Sequence, residues 1–244
     1  MHKFFTNEVQ NDLARITGDD VKHAWKVLRL KAGDEVLIND LKGQDFEGRI
    51  LSIDKVEVLV EITGGIEGTC ESPLNIQVYQ GFPKGQKMEF VTQKLSELGV
   101  RRLIPVLTHR VIPEVRKESR KLERLRRISL ESGKQANRTV ILEISEPFEL
   151  NELAKELREL DLLIVPYEEK EGAGIRGIEE EIRKAASIGI VIGPEGGFEE
   201  EEITWLEELG ARVVTLGPRI LRTETCAMSV VSILQYIAGD MGGL

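Results

Sequence analysis

The chain has 244 residues, and 41% of them are apolar, which is enough for hydrophobic cores in one large domain or two smaller ones. It contains no run of about 18 apolar residues, so no membrane-spanning segment is expected. Asn7, Glu8 and Asp12 follow the first residues closely, a composition that signal peptides lack. The two cysteines and three histidines do not have the spacing of metal ligands, so we expect no bound metal, no disulfide framework and a cytoplasmic location.

The formal net charge of −9 is distributed unevenly. Residues 1–72 contain 9 basic and 14 acidic side chains, residues 73–138 contain 15 and 6, and residues 139–244 contain 9 and 22. A basic block with a net charge of +9 inside an acidic chain is either a docking surface for phosphate groups or a solvated helix face. Charge alone leaves both interpretations open.

The first 70 residues are predicted to form a small β-barrel domain. Short or alternating apolar runs, separated by turn signals, predict strands over 35–39, 45–53 and 56–62. A helix is predicted over 18–30, with Val21, Trp25 and Leu28 on one side. The stretch 64–73 has the composition of a linker.

From residue 74 onward, predicted strands alternate with predicted helices, which indicates an α/β domain over 74–244 with a mainly parallel sheet. The predicted strands are 74–80, 102–107, 139–144, 161–166, 188–192 and 212–216. The predicted helices are 84–98, 117–135, 149–159, 175–185, 199–209 and 223–239.

Two of these strands lead into glycine-proline loops. Strand 188–192 is followed by Gly193-Pro194-Glu195-Gly196-Gly197, and strand 212–216 by Gly217-Pro218. Glycine lets the backbone approach a ligand closely, and α/β sheets bind ligands at the carboxyl ends of their strands. The two loops therefore predict one shared pocket, lined largely by main chain.

The loops do not contain the usual nucleotide-binding motifs. Neither a phosphate-binding loop with its lysine nor the Gly-x-Gly-x-x-Gly pattern occurs. Glu195 would repel a phosphate group, so the acidic loop favours a ligand that has no phosphate and carries positive charge, such as S-adenosyl-L-methionine with its sulfonium. Many acidic loops bind nothing, and that alternative stays open at this point.

The chain resembles a known family across nearly its whole length. The paired segments 192–198 and 216–225 look like the signature of the 16S ribosomal RNA (uracil-N3) methyltransferases of the SPOUT superfamily. Further stretches that resemble this family are 23–30, 84–89, 94–99 and 131–138. In one place the chain departs from the pattern, because Ala136 and Asn137 stand where a small residue and a glycine are expected.

The resemblance implies an N-terminal PUA-like RNA-binding domain and a C-terminal domain with a deep trefoil knot, a feature that periodicity alone would not predict. It also implies a homodimer and S-adenosyl-L-methionine as the methyl donor. The implied reaction is methylation of N3 of a specific uridine in 16S ribosomal RNA, either free or in the small ribosomal subunit. The predicted cofactor-binding residues are Pro166, Gly193, Glu195, Gly196, Leu216, Gly217, Ile220, Leu221 and Arg222.

Uracil N3 attacks a methyl group poorly until its proton leaves, so a cation beside O2 or O4 would assist the reaction. Arg138 and Arg222 are the predicted catalytic residues, with an electrostatic role, because arginine does not readily serve as a base. Glu195 and Glu224 are candidates for the proton acceptor, and a helix cap or an ion pair is the alternative role for each.

Docking of RNA is assigned to basic residues outside the loops, each of which could instead be a solvated surface charge. They are Arg29, Lys84, Lys87, Lys94, Arg110, Arg116, Arg120 and Arg124. The target uridine would be unpaired or flipped, because N3 is hidden in a base pair. The alternatives are a non-catalytic RNA-binding or ribosome-assembly protein, a SPOUT methyltransferase acting on another nucleotide, and a nucleotide-hydrolysing enzyme, which lacks its lysine here.

Overall fold

The computed structural model describes residues 1–66, 70–110, 119–168 and 174–242. Its contacts divide the chain into two compact units: unit 1 comprises Met1–Glu71 and Gly133–Ile141, and unit 2 comprises Ser72–Ser132 and Leu142–Leu244. The division predicted from the sequence, 1–70 and 74–244, leaves the segment 133–141 in the second domain. Side-chain hydrogen bonds to the backbone of this segment attach it to unit 1, and such bonds have no periodicity that a sequence reveals.

Unit 1 contains a six-stranded mixed sheet. Its strands are β1 (His2–Phe5), β2 (Val9–Gln10), β3 (Leu13–Thr17), β4 (Glu35–Asn39), β5 (Asp45–Ile53) and β6 (Glu57–Gly65), in the order β1-β4-β5-β6-β3-β2. The β1–β4 pairing is parallel and the others are antiparallel. The order has two ends, so the sheet is a half-barrel. Alternate residues such as Val36, Ile38, Val58 and Val60 are fully buried in its core.

The helix predicted over 18–30 is shorter and changes type. Helix α1 spans Asp19–Lys22 and continues as a π-helical turn over His23–Val27. The sequence predicted that Trp25 shares the buried side of the helix with Val21. It does not, because the wider turn alters the angular spacing of the side chains. Val21 is 1% exposed, whereas Trp25 is 41% exposed.

Unit 2 contains a parallel sheet of seven strands. They are β7 (Asn75–Gly81), β8 (Arg102–Leu107), β9 (Glu143–Ile144), β10 (Phe148–Glu149), β11 (Leu162–Pro166), β12 (Ser187–Ile192) and β13 (Arg212–Val214). The order is β10-β8-β7-β12-β11-β13, with β9 paired to β8. Every pairing is parallel, which confirms the predicted mainly parallel α/β architecture.

The helices of unit 2 cover both faces of this sheet. They are α2 (Lys87–Glu97), α3 (Ser119–Gln135, whose last residues belong to unit 1), α4 (Ala154–Arg158), α5 (Glu179–Lys184), α6 (Glu200–Glu208) and α7 (Thr223–Ala238). One core contains buried residues of α2, α5 and α7, and the other contains residues of α4 and α6. None of the helices among the described residues is long and apolar enough to cross a membrane.

Some predicted boundaries were wrong. The strand expected over 139–144 is reduced to β9, because the segment before it bonds to unit 1. The helix expected over 149–159 begins with strand β10 and a 3-10 turn over Leu150–Leu153. The start of the helix expected at 117 lies outside the described residues.

Candidate functional site

Four adjacent strands of unit 2 bring their carboxyl ends to one edge of the sheet, since β7, β12, β11 and β13 are all parallel. The segments that leave this edge include the two glycine-proline loops, at 193–198 and 215–222. In open α/β sheets this edge is where ligands bind. It is therefore the first place to look for a site.

Hydrogen bonds through a single hydroxyl join the start of the first loop to the helix that follows the second. Thr223, the first residue of α7, donates from Oγ1 to the Gly193 carbonyl at 2.6 Å. The same Oγ1 accepts from Nε2 of Gln80 at 2.7 Å. Gln80 lies in β7 and is fully buried, and Thr223 is 6% exposed. The first loop, which begins at Gly193, thus lies directly beside the end of the segment 216–222, with which it was predicted to share a pocket.

Close backbone packing reinforces this arrangement. A Cβ atom on Gly81, at the end of β7, would lie 2.6 Å from the backbone nitrogen of Pro194. A Cβ atom on Gly193 would lie 3.2 Å from the ring of Phe198, which is itself buried. The first loop therefore needs glycine both within it and in the strand beneath it.

A group of charged side chains surrounds Lys87, near the start of α2. Its Nζ donates to Oε1 of Glu195 at 2.9 Å and lies 3.7 Å from Oε2 of Glu224. Glu195 also accepts from the backbone N–H of Lys84, at 3.1 and 3.2 Å for its two oxygens. Burial alone would raise the pKa of Glu195, but the hydrogen bonds from Lys87 and from backbone N–H groups hold it below its ordinary value. Glu195 is therefore an ionised and well-partnered carboxylate.

Glu224 is partnered differently. Its Oε2 is buried and accepts no hydrogen bond from the residues that the structure describes. It stands in the first turn of α7, directly after Arg222 and Thr223. A buried carboxylate oxygen that accepts no hydrogen bond is an unusual feature and needs an explanation, although Lys87 lies 3.7 Å from it.

An open depression lies beside the second loop. It is lined by Pro166, Tyr167, Glu168, Thr215, Leu216, Gly217, Arg219, Leu221 and Cys226. The lining combines apolar side chains that suit a flat ring with a carboxylate, Glu168, that suits a cation. Desolvation by burial, and to a lesser extent the charge of Glu168, raises the pKa of Cys226 to about 12, so this thiol is a neutral lining group and not a nucleophile.

Four of the predicted cofactor-binding residues line this depression: Pro166, Leu216, Gly217 and Leu221. Five others do not: Gly193, Glu195, Gly196, Ile220 and Arg222. Ile220 is 82% exposed, and the side chain of Arg222, which precedes α7, is also exposed. Sequence reasoning missed the remaining five lining residues, although Tyr167 and Glu168 immediately follow a predicted strand and that position was an available signal.

Gly217 shapes the wall of the depression. Its φ of +118° is a conformation that other residues rarely adopt. The hydroxyl of Thr215 accepts from the Gly217 N–H at 3.2 Å and donates to the Gly217 carbonyl at 3.1 Å. No atom lies within 4 Å of the place that a Cβ would occupy, so this face of Gly217 is open.

Arg110, predicted to bind RNA, forms hydrogen bonds with other residues of unit 2. Its guanidinium donates to both carboxylate oxygens of Glu199, at 2.7 and 2.8 Å, and to the Gly196 carbonyl at 2.5 Å. A Cβ on Gly196 would lie 3.2 Å from the Arg110 side chain. Arg110 therefore supports the first loop.

The other residues predicted to bind RNA fall into three groups. Lys87, Lys94 and Arg124 form ion pairs with Glu195, Glu97 and Glu89 respectively. Arg29, Lys84 and Arg120 are exposed and form no ion pair among the residues that the structure describes. Arg116 lies outside the described residues. Half of the predicted set is thus already neutralised by carboxylates, counting Arg110.

Arg138, a predicted catalytic residue, lies in unit 1 and forms a buried ion pair. Its Nη2 donates to Oε2 of Glu71 at 2.7 Å, and the two side chains are 4% and 2% exposed. Glu71 also accepts from the backbone N–H groups of Thr139 and Val140, both at 2.9 Å. Asn137 has a φ of +56°, a conformation that asparagine tolerates in place of glycine. This geometry gives Arg138 a structural role in unit 1, and its catalytic role stays a prediction.

Two parts of the chain match known protein families. Residues 70–235 match the family model of the RNA methyltransferase domain, and residues 16–63 match that of the RNA methyltransferase PUA domain.

Several proteins are similar over nearly the full length. Ribosomal RNA small subunit methyltransferase E of Bacillus subtilis is 31% identical, covering 91% of this chain and 89% of that protein. The Aquifex aeolicus protein of the same name is 32% identical, covering 96% and 99%. A crystal structure of the Neisseria gonorrhoeae protein of that name, bound to S-adenosyl methionine, superposes with a TM-score of 0.84 at 28% identity, covering 99% of both chains.

The buried ion pair predicts a loss of stability on replacing Arg138. Arg138→Ala leaves the Glu71 carboxylate buried without its cationic partner, which should lower the free energy of unfolding by about 3–5 kcal/mol. Arg126→Ala is the control, because the Arg126–Glu146 pair is exposed and its loss should cost less than about 1 kcal/mol. Urea denaturation measures both. Unchanged stability together with a large loss of activity in Arg138→Ala would instead support the catalytic role.

The same pair predicts an acid limit to stability. Burial would raise the pKa of Glu71, but the hydrogen bond from Arg138 and those from Val140 and Thr139 hold it below its ordinary value of 4.5. A lowered carboxylate pKa contributes stability that is present above 4.5 and lost as the pH falls through the pKa of the folded state. We expect the free energy of unfolding to fall below pH 4.5 in the wild type, and this contribution to be absent in Glu71→Gln. If the free energy of unfolding depends on pH in the same way in both proteins, this expectation is wrong.

The Thr223 hydroxyl predicts a third effect. Thr223→Val leaves the Gly193 carbonyl and Nε2 of Gln80 without their shared partner, which should cost about 2 kcal/mol in the free energy of unfolding. Thr223→Ser keeps the hydroxyl and should lie near the wild type. Thr204→Val is the matched control, because the exposed Thr204 hydroxyl donates only within its own helix. If urea denaturation shows the same loss of stability in both valine variants, the hydrogen bonds of the Thr223 hydroxyl do not contribute measurably to the free energy of unfolding.

Proposed function

Since the chain belongs to the family of RNA methyltransferases with an N-terminal PUA domain, we propose that it methylates N3 of a uridine in small-subunit ribosomal RNA, with S-adenosyl-L-methionine as the methyl donor. The two family models confirm the predicted RNA methyltransferase family and its N-terminal PUA domain. The observation that supports the proposal most strongly is the junction at Thr223, which brings the two signature loops together at the ligand-binding edge of the sheet. The uracil-N3 specificity is supported by the motif resemblance.

The depression fits the proposed cofactor in its chemistry. Pro166, Leu216 and Leu221 offer apolar faces to an adenine ring, and the open face of Gly217 admits close contact with the main chain. Glu168 offers a carboxylate to a cation. The cofactor supplies a methyl group made electrophilic by its attachment to a positively charged sulfur, so the reaction needs no metal.

The chain itself must remove the proton from uracil N3 and stabilise the charge left on the ring. We assign proton removal to Glu224, because its Oε2 accepts no hydrogen bond from the described residues and lies 3.7 Å from Lys87 Nζ, whereas Glu195 accepts hydrogen bonds from Lys87 and from the Lys84 N–H. Arg222, exposed at the start of α7 and two residues from Glu224, is assigned to the charge on O2 or O4. The N3–H bond would break with its proton passing to Glu224 and its electron pair staying on N3. N3 would then take the methyl group from the donor, whose sulfur would keep the electron pair of the broken C–S bond and leave as a neutral thioether.

Docking of the RNA is assigned to the exposed basic residues that have no carboxylate partner among the described residues: Arg29, Lys84 and Arg120. We also propose that the protein acts in the cytoplasm and as a homodimer. The face of α7 opposite the sheet presents Met228, Ser232 and Tyr236 at a spacing of four residues, and Tyr236 is 73% exposed. A second copy of the chain would cover this face.

The function is tested by mapping modified nucleosides. Mass spectrometry of 16S RNA from cells that lack this protein should show the loss of one N3-methyluridine, and expression of the wild-type gene should restore it. In vitro, the purified protein with S-adenosyl-L-methionine should methylate the same RNA, free or in the subunit. A complete set of modifications in the deletion strain contradicts the proposal, and loss of a different modification moves the activity to another nucleotide.

The open face of Gly217 predicts a selective loss of cofactor binding. Gly217→Val places a side chain in the depression, so the affinity for S-adenosyl-L-methionine should fall at least tenfold in calorimetry. Gly210→Val is the matched control, because Gly210 also has a positive φ of +94° and open space around it but does not line the depression. Both variants should lose similar stability. Equal affinities for the cofactor would show that it binds elsewhere.

The proposed proton acceptor predicts a difference between two glutamates. Glu224→Gln should lower turnover about 10²- to 10⁴-fold while cofactor affinity stays within about twofold, since a positioned base contributes on this scale. The deficit should shrink at high pH, where uracil loses its N3 proton to the solvent. Glu195→Gln should lower turnover less than tenfold, and the reverse ranking would move the role to Glu195.

The proposed dimer is tested by charging its surface. Tyr236→Glu should convert the dimer to monomer at micromolar concentration in analytical ultracentrifugation. Val56→Glu is the control, because Val56 is 74% exposed in unit 1 and has no part in this face. A wild-type protein that sediments as a monomer excludes the dimer.

A further inference from the structure

An exposed tryptophan stands out in unit 1. Trp25 lies in the π-helical turn His23–Val27, where the backbone N–H of Leu28 donates to the His23 carbonyl at 2.9 Å. Ala24 fills the core side of this turn and is fully buried, while Trp25 is 41% exposed and its neighbour Val27 is 66% exposed. Single π-helical turns are rare and frequently mark functional sites. The turn therefore presents a large aromatic side chain to solvent, while the small Ala24 takes the buried position beside it.

The charged side chains on both sides of Trp25 in the sequence, between Val21 and Gly33, are of one sign, and Asp19, Asp20 and Asp34 stand just outside this stretch. Between Val21 and Gly33 the chain has four basic side chains and no acidic one, although the first 72 residues contain 9 basic and 14 acidic side chains. The four are Lys22, Lys26, Arg29 and Lys31. Lys26 places its Nζ 5.8 Å from the centre of the Trp25 ring. The stretch 21–33 is therefore a basic segment within an acidic unit, and its charge is complementary to that of a polyanion.

Neither Lys26 nor Arg29 is used in an internal ion pair with any residue that the structure describes, and both are exposed. Lys22 approaches only Asp19, at 3.4 Å on the open surface. These cations are therefore available to phosphate groups, unlike Lys87 or Arg110 in unit 2.

We propose that Trp25 is a stacking platform for an unpaired base of the RNA substrate, with Lys26 and Arg29 contacting the phosphates on either side of that nucleotide. The inference rests on the proposed function only in taking RNA as the partner. Proteins that bind single-stranded RNA combine an aromatic side chain with a basic surface, because every base has a face that can stack. Residue 25 also lies inside the region that matches the PUA domain of RNA methyltransferases.

The chain offers a direct probe, since it has only two tryptophans. Trp205 packs partly buried against the core of unit 2, so Trp205→Phe leaves Trp25 as the sole emitter. Titration of this variant with a 12-nucleotide oligouridine should quench the emission of Trp25. A blunt RNA duplex of equal length should quench it much less, because its bases are already stacked. No change in emission at saturating oligouridine would overturn the proposal.

Affinity measurements separate stacking from charge. In the otherwise wild-type chain, Trp25→Ala should weaken oligouridine binding about 5- to 150-fold, the effect of losing one stacked base, and leave its salt dependence unchanged. Lys26→Ala should instead reduce the slope of log affinity against log salt by about 0.7. Val56→Ala removes another exposed apolar side chain from unit 1, one that is 74% exposed, and should have no effect. Trp25→Phe keeps an aromatic face and should lie between Trp25→Ala and the wild type, which guards against a folding defect.

The outcomes distinguish this inference from the proposed function. If Trp25→Ala binds oligouridine as tightly as the wild type while uridine methylation proceeds, the stacking role is wrong and the function stands. If Trp25→Ala weakens binding but no N3-methyluridine depends on the protein, the stacking role stands and the function is wrong. Saturable binding of a ribosomal protein, lost in Trp25→Ala without any effect on RNA binding, would reassign the surface to a protein partner.

Discussion

The hydroxyl of Thr223 is the contact on which the candidate site depends. By donating to the Gly193 carbonyl and accepting from Gln80, it joins the first glycine-proline loop to the helix that ends the second. All three residues lie in unit 2, and Gln80 and Thr223 are buried, so water does not compete for these bonds. Lys87 adds a second connection between the same parts of the chain, through Glu195 and Glu224. A site made of main chain from two distant segments needs connections of this kind, because the loops have few side chains of their own.

Much of the basic charge in this chain organises the protein itself. Arg110 supports the first loop, Lys87 joins Glu195 of that loop to Glu224 after the second loop, and Arg138 forms its ion pair with Glu71 in unit 1. The net charge of +9 over 73–138 therefore overstates what is available to RNA. The cations left without a carboxylate partner among the described residues, such as Arg29, Lys84 and Arg120, are fewer, and the stretch around Trp25 contributes to them.

The sequence predicted the parallel sheet well, because strands β7, β8, β11 and β12 are short, apolar and separated by helices with clear periodicity. It missed β1, β2 and β3 in unit 1. In β3, Ala14 and Ile16 alternate with polar residues, but that run is short and weakly apolar. The two signature loops were found because glycine and proline mark them in the sequence. Gln80 and Gly81 were not found, since a buried amide in a strand gives no signal before the fold is known. The ion pair of Arg138 gave no signal either, since its partner Glu71 is distant in the sequence, and the catalytic role of Arg138 stays a prediction.

Hydrogen exchange tests the central claim most directly. On addition of S-adenosyl-L-methionine, we predict that backbone amides in 166–168, 193–197 and 215–222 gain protection together, and that Thr223→Val confines the added protection to the segments that touch the ligand, 166–168 and 215–222. This follows because the cofactor is expected to order the second loop, and the Thr223 hydroxyl passes that order to the first. Protection of the second loop alone in the wild-type protein, or of neither loop, would contradict the account.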